Sequence, residues 1–203
     1  MSRGTLVGVA RPRQYDDAVR RRLLDHASRL ISTHGADRFS LRQLAGAAET
    51  TTAAVYTLFG GRDELVHAVV DEGFTRFAEH LQSVAPSDDP SADLFELGLA
   101  YRRSALADPH FYRVLFGPGT LRSGTDSTAH PTFRVLVTAV ARVHPDTDDA
   151  HVETEALRLW ALVHGLVGLE LAGLLPGDAD EQDQRYRAAL LGTAAHDLRT
   201  GTS

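Results

Sequence analysis

Between Ser40 and Gly61 the chain contains two helix starts and two helix stops, and that spacing leaves few folds open to it. Ser40-Leu41-Arg42-Gln43 matches a capping box, in which the serine oxygen accepts from the third amide and the glutamine side chain returns to the serine N–H. A short helix therefore starts at Leu41, with Leu44 and Ala45 on its inner face. Glu49-Thr50-Thr51 interrupts it, and Thr51 is placed to cap a second short helix running from Thr52 to about Phe59. Gly60-Gly61 ends that one. Upstream, Val19, Leu23, Ala27, Leu30 and Ile31 follow helical spacing from Asp16 to a left-handed cap at Gly35. Downstream a longer helix runs from Arg62 to about Leu81, with Asp63 and Glu64 favourably placed in its first turn. Two short amphipathic helices joined by a tight turn and held by a long one make a helix-turn-helix.

Charge divides the chain at the same place. Residues 1–62 hold ten arginines, Arg3, Arg11, Arg13, Arg20, Arg21, Arg22, Arg29, Arg38, Arg42 and Arg62, against five acids, whereas the whole chain carries −6. A basic head on an acidic body suits a polyanion, since phosphate contacts release counterions. A solvated basic helix face accounts for the same count.

The remaining sequence is read as helical throughout. Residues 1–13, with Gly4, Gly8 and Pro12, are expected to form a flexible basic arm. A helix-turn-helix domain is expected over 14–62, a connecting helix over 63–85, and a larger helical domain over 90–199, after the Pro86–Pro90 loop. Helical patterns cover about 91–107, 109–116, 131–143, 149–175 and 181–198, and the Gly117–Ala129 stretch is the least structured interior segment. The fold class is all-α.

Several function classes are disfavoured. There is no cysteine, which removes disulfides, thiolate metal sites and thiol nucleophiles together. The first thirty residues lack the apolar run of a secretory signal. Leu157–Leu175 is the one stretch apolar enough to weigh as a membrane span, but Arg158, His164 and Glu170 interrupt it, and a buried helix explains it better. Gly117, Gly119 and Gly124 miss the spacing of a phosphate loop, and His151, Glu153 and Glu155 do not make a convincing metal site. Neither a cofactor nor a metal is expected, and the chain does not read as an enzyme.

Leu41-Arg42-Gln43-Leu44-Ala45, Ala47-Ala48-Glu49-Thr50-Thr51 and Val55-Tyr56-Thr57-Leu58-Phe59-Gly60-Gly61-Arg62-Asp63-Glu64-Leu65 together resemble the helix-turn-helix of tetracycline-repressor (TetR) type regulators, over about residues 16–75. The resemblance implies that Thr51, Thr52, Ala53, Tyr56 and Thr57 face DNA, and that Arg62 sets its charge on the phosphate backbone. Ser40, Arg42, Gln43 and Thr50 complete the expected DNA-facing set. Three positions depart from the family pattern: Glu49 stands where glycine is common, Thr52 replaces a frequent Lys or Arg, and Leu58 a frequent aromatic. The reading helix thus has no Arg, Lys, Asn or Gln, so base readout is expected from thymine-methyl packing by Thr and Ala, from Arg42 or Gln43, and from DNA shape.

Trp160-Ala161-Leu162-Val163-His164-Gly165, with Tyr101-Arg102-Arg103 and Asp108-Pro109-His110-Phe111-Tyr112, resembles a subgroup of these regulators carrying a Trp-x-x-x-His-Gly signature. Tyr101, Phe111, Tyr112, Phe116, Phe133, Trp160 and His164 are candidates to line an apolar effector cavity, or else form an ordinary core. Ala161, Gly165, Gly168 and Ala172 form a stripe of small residues that suits close approach of another helix, from a second copy or from the same chain. Tyr186, Leu190 and Leu191 of the last helix are the further dimer-face candidates. The resemblance implies a cytoplasmic homodimer that binds a pseudo-palindromic DNA operator and is released by a small, largely apolar effector. The alternatives are a helical ligand-binding or enzymatic bundle that never meets DNA, and a DNA-binding activator with no effector.

Overall fold

The computed structural model describes residues 13–117 and 131–200, with side chains over 16–117 and 132–192. The flexible-arm expectation for 1–13, including Arg3 and Arg11, and the reading of Gly117–Ala129 as least structured fall almost wholly outside the described residues. Among those residues nine α-helices and no strand occur: α1 (Arg13–His34), α2 (Leu41–Ala47), α3 (Thr52–Phe59), α4 (Arg62–Gln82), α5 (Pro90–Ala107), α6 (Pro109–Phe116), α7 (Pro131–Val143), α8 (Asp149–Leu171) and α9 (Ala179–Thr200).

Local chemistry sets most of these boundaries. Gly35 ends α1 at φ +88° and Gly60 ends α3 at φ +91°, the left-handed region that glycine enters without cost. Asp89 caps α5 by accepting from the Ser91 and Ala92 amides, with Pro90 in the first turn. α8 stops at Leu171, before the hydrophobic pattern does. Gly173 adopts φ +68°, its N–H reaches Glu170 O, and the Leu174 N–H reaches Leu169 O, a Schellman closure that satisfies the last carbonyls.

Two cores meet along α4 and α6. The first gathers Leu23, Leu24 and Ala27 of α1, Leu44 of α2, Val55 of α3 and Leu65 and Val69 of α4, and extends to Phe111 and Val114 of α6. The second joins Phe77 and Leu81 of α4 to Leu97 and Tyr101 of α5, Tyr112 and Leu115 of α6, Val163 and Val167 of α8, and Tyr186 and Leu190 of α9. A smaller cluster seats α7 on α8 through Phe133, Val140, Val152 and Ala156. α6 is thus a wedge, with Phe111 and Val114 turned to the head and Tyr112 and Leu115 to the body. It lies against α4 at Gly73, where an added Cβ would come within 3.1 Å of Leu115.

Polar contacts reinforce the wedge. Arg76 of α4 pairs with Asp25 of α1 at 2.8 Å, Glu72 at 2.8 Å and Asp108 at 3.4 Å, while its guanidinium lies 4.4 Å over the Phe111 ring. Ser32 Oγ of α1 lies 2.9 Å from His110 Nδ1 of α6. On the body side, Arg113 of α6 donates to Leu171 O at the end of α8, 2.8 Å.

Candidate nucleic-acid interface and regulatory core

Between α2 and α3 the backbone makes a tight turn with both neighbouring caps in place. Ser40 accepts from Arg42 N at 3.2 Å, the second helical amide rather than the expected third. Thr51 accepts from Ala54 N at 3.1 Å. Glu49 sits in the turn at φ +53°, the one non-glycine residue in the left-handed region among the described residues. An L-residue there carries a cost of roughly 1–2 kcal/mol, which explains why glycine suits this position. Glu49→Gly is therefore expected to raise stability by about 1 kcal/mol, net of the extra freedom glycine gains on unfolding. Urea denaturation would measure it; an unchanged or lower midpoint would mean the turn is not strained.

α3 anchors itself through Val55, which is fully buried, with Leu58 and Phe59 half-buried beside it. Its other side is open: Thr51, Thr52, Ala53, Tyr56 and Thr57 are exposed, and Thr50 is half-exposed. Arg42 and Gln43 of α2 are exposed as well, as is Ser40. Three hydroxyls are already committed within the chain, those of Ser40 and Thr51 as cap acceptors and that of Thr57 as donor to Ala53 O at 2.9 Å. Tyr56 is 57% exposed. Arg62 is drawn partly inward, with its guanidinium 4.8 Å over the Phe39 ring and one N–H on Asp37 O.

The aromatic candidates of the body divide. Tyr101, Tyr112, Phe116, Trp160 and His164 come together, with Tyr112 Oη 2.7 Å and Tyr101 Oη 3.0 Å from His164 Nδ1, and the two phenol oxygens 3.2 Å apart. Tyr112 donating to Nδ1 and Tyr101 donating to the Tyr112 oxygen uses both phenol protons and leaves the imidazole N–H on Nε2. Burial pushes the Tyr101 phenol up to about 12 and the Tyr112 phenol higher still, and it lowers the His164 imidazole. The triad is uncharged at neutral pH. Phe133 joins this group at its edge, 5.6 Å from the Trp160 ring. Phe111 does not belong to it: its side chain packs in the head core beneath Arg76.

The dimer-face candidates also divide. Ala161, Gly165, Gly168 and Ala172 are exposed along α8, and a Cβ added at Gly165 or Gly168 would meet nothing within 4 Å. Leu157 and Leu169 of α8, at 46% and 43%, and Leu191 of α9, at 58%, widen this apolar surface. Tyr186 and Leu190 leave the set because both are buried against α5 of their own chain. The Tyr186 hydroxyl donates to Gly98 O at 2.8 Å, and Leu190 lies against Gly98.

Sequence reasoning missed a buried ionic knot. Arg102 of α5 binds Glu170 of α8 through two bonds of 2.7 Å and Asp183 of α9 through one of 2.6 Å. The Glu170 hydrogen bonds, opposed by burial, raise the guanidinium above its ordinary pKa. A second tie links the α4–α5 loop to α7: Asp93 accepts from the Ser87 hydroxyl and amide and from Arg142 at 2.6 Å, which holds its carboxyl down at about 2.

An exposed short helix with small residues at its N-terminal end, set on a basic head and backed by a helical body, defines a helix-turn-helix DNA-binding transcription regulator. Comparison with known proteins agrees. "Bacterial regulatory proteins, tetR family" matches residues 23–69, and "Tetracyclin repressor-like, C-terminal domain" matches residues 94–193. The chain belongs to the TetR family of transcription regulators, and it is not an enzyme. The HTH-type transcriptional regulator Rv1816 of Mycobacterium tuberculosis is 24% identical, covering 84% of this chain and 88% of its own. Among solved structures, SCO4313 is 28% identical, covers 90% of this chain and 98% of its own, and superposes with a TM-score of 0.70. A TetR variant from Acinetobacter baumannii AYE, solved in complex with minocycline, shares the fold at 20% identity, 89% and 97% coverage and a TM-score of 0.59. No described helix is long and apolar enough to cross a membrane.

Proposed function

We propose that this regulator is a cytoplasmic homodimeric repressor whose two heads bind a pseudo-palindromic operator in successive major grooves, and which a small, uncharged and largely apolar effector releases. Thr51, Thr52, Ala53, Tyr56 and Thr57 of α3 face the groove, with Arg42 and Gln43 of α2 beside them. Methyl groups of Thr and Ala pack on thymine, and Arg62 and the N-terminus of α4 face the backbone. The effector acts at the uncharged wall formed by Tyr101, Tyr112, Phe116, Trp160 and His164. α6 carries Tyr112 on one side and Phe111 on the other, so a change at that wall reaches the head through the Arg76 hub.

The observation that most supports this reading is the open apolar stripe on α8. Leu157, Ala161, Gly165, Gly168 and Leu169 of α8, together with Leu191 of α9, are apolar or small and left exposed among the described residues. A two-fold partner presenting the same stripe would cover it and set two heads side by side. Gly168→Arg tests this cleanly, because nothing among the described residues lies within 4 Å of the new Cβ. The variant is expected to keep its helical signal but run as a monomer by light scattering, with weaker DNA binding. A dimer of unchanged affinity would place the contact elsewhere. Trp160, the only tryptophan, gives the effector arm its readout: a ligand that releases DNA is expected to alter its fluorescence.

A further inference from the structure

Two arginines of α1 reach across to the α2–α3 unit, one to the turn that precedes α3 and one to its last residue. Arg22 Nε donates to Ala48 O at 3.3 Å, and Ala48 is the buried C-cap of α2, immediately before the left-handed Glu49. The Arg20 guanidinium lies 5.1 Å over the ring of Phe59, the last residue of α3. Among the described residues neither arginine forms an ion pair, so each uses its side chain on the α2–α3 unit rather than on a carboxylate. α3 has eight residues, a length at which a helix is marginal by itself, and only Val55 is fully buried. Its direction therefore depends on how its two ends are held. The N-terminal end follows a turn that a non-glycine residue strains, and the carbonyl preceding that residue is the one Arg22 binds.

We propose that Arg22 is a positioning residue that braces the strained turn and so sets the angle at which α3 enters the groove, with Arg20 steadying the far end. The basic head then contains two kinds of arginine. Arg20 and Arg22 set their side chains on Phe59 and Ala48 O and hold the reading helix in place, while Arg42, exposed to solvent as Arg22 is, makes no such contact among the described residues and is left for DNA. The inference rests on α3 entering the groove, and it assigns Arg22 a role other than neutralising phosphate.

The test is Arg22→Met, which keeps the stem and removes the donor, made in the full chain with and without Glu49→Gly. Hydrogen exchange on the free protein is expected to quicken at the Glu49 and Thr50 amides in Arg22→Met, and the Thr50 amide should quicken less when Glu49→Gly has already relieved the turn. Anisotropy with a labelled duplex recovered by selection against the wild type is expected to show a roughly five- to tenfold loss of affinity. The slope of log K against log salt should stay the same, and the loss should shrink in the Glu49→Gly background. A slope reduced by about 0.9, with an equal loss in both backgrounds, is what a phosphate contact gives, and it would overturn the proposal. Unchanged exchange and affinity would overturn it too. Arg22→Gln separates the roles even if the methionine variant unfolds: its Nε2 takes the place of the arginine Nε and keeps the donor to Ala48 O, so the brace predicts affinity and salt slope near wild type, whereas a phosphate contact loses its charge and the slope falls by about 0.9. Because the exchange readout uses no DNA, a failure of the groove reading and a failure of the brace are told apart.

Discussion

Tyr56→Phe is expected to cost DNA binding ten- to a hundredfold while leaving the free protein unchanged. The side chain is 57% exposed, and its hydroxyl has no hydrogen-bond partner among the described residues, so removing that oxygen disturbs nothing the fold depends on. The hydroxyl lies one turn into α3 on its open side, and on the proposed reading it is expected to meet a phosphate oxygen. A hydrogen bond to a charged group contributes roughly 1.5–3 kcal/mol, which corresponds to about that range of affinity. Fluorescence anisotropy on the wild-type binding site, paired with a urea melt of each protein, is the measurement. Equal affinities would remove Tyr56 from the interface, and a shifted melt would mean that it packs in the fold.

Arg102→Ala is expected to be the most destabilising single change proposed, at about 3 kcal/mol. Arg102 and Glu170 have side chains only 11% and 9% exposed, and the arginine donates two bonds to that one carboxylate. Removing the cation leaves Glu170 buried without compensation, a larger penalty than the pair itself was worth. Asp183 also loses its cross-helix partner, although it keeps Arg187 at 2.6 Å and is more exposed. The knot joins α5, α8 and α9, and two of these carry the proposed dimer face, so dimerisation and DNA binding should weaken together. Replacing both partners, Arg102→Met with Glu170→Leu, is expected to recover most of the stability, because two apolar groups need no compensation. If the double variant is as unstable as the single one, the loss comes from packing rather than from a stranded charge.

What could be read from the sequence was what short-range chemistry determines. Ser40, Thr51, Gly35 and Gly60 act within a few residues of themselves, and the helix ends of the head follow from them. Even there Ser40 caps the second amide rather than the third, since small backbone differences decide which N–H its hydroxyl meets. The end of α8 was missed because apolar residues continue past it, whereas the chain obeys the left-handed Gly173. Side-chain facing was harder. Phe111 and Tyr112 are neighbours, and helical geometry sends one to the head and the other to the His164 triad. Tyr186 and Leu190 pattern like an outer face, yet α5 covers them at Gly98, where the absent side chain gives them room. Arginine counting also hid a distinction: Arg20 and Arg22 add to the basic head in number, but their guanidiniums rest on Phe59 and Ala48 O. The Arg102 and Arg76 hubs join residues dozens of positions apart, and no periodicity reveals such pairings.

The central claim is that the open face of α3 reads duplex DNA. In vitro selection from a random duplex library, followed by titration of the enriched site across a salt series, tests it most directly. The expected result is an inverted repeat with half-site centres about one helical turn or a small multiple apart, rich in A·T steps where Thr52 and Ala53 lie. Affinity for it should fall steeply with salt and weaken on Tyr56→Phe. A library that returns no enriched sequence, or one bound equally well by a variant with Thr52 and Ala53 replaced by bulky acidic residues, would contradict the account.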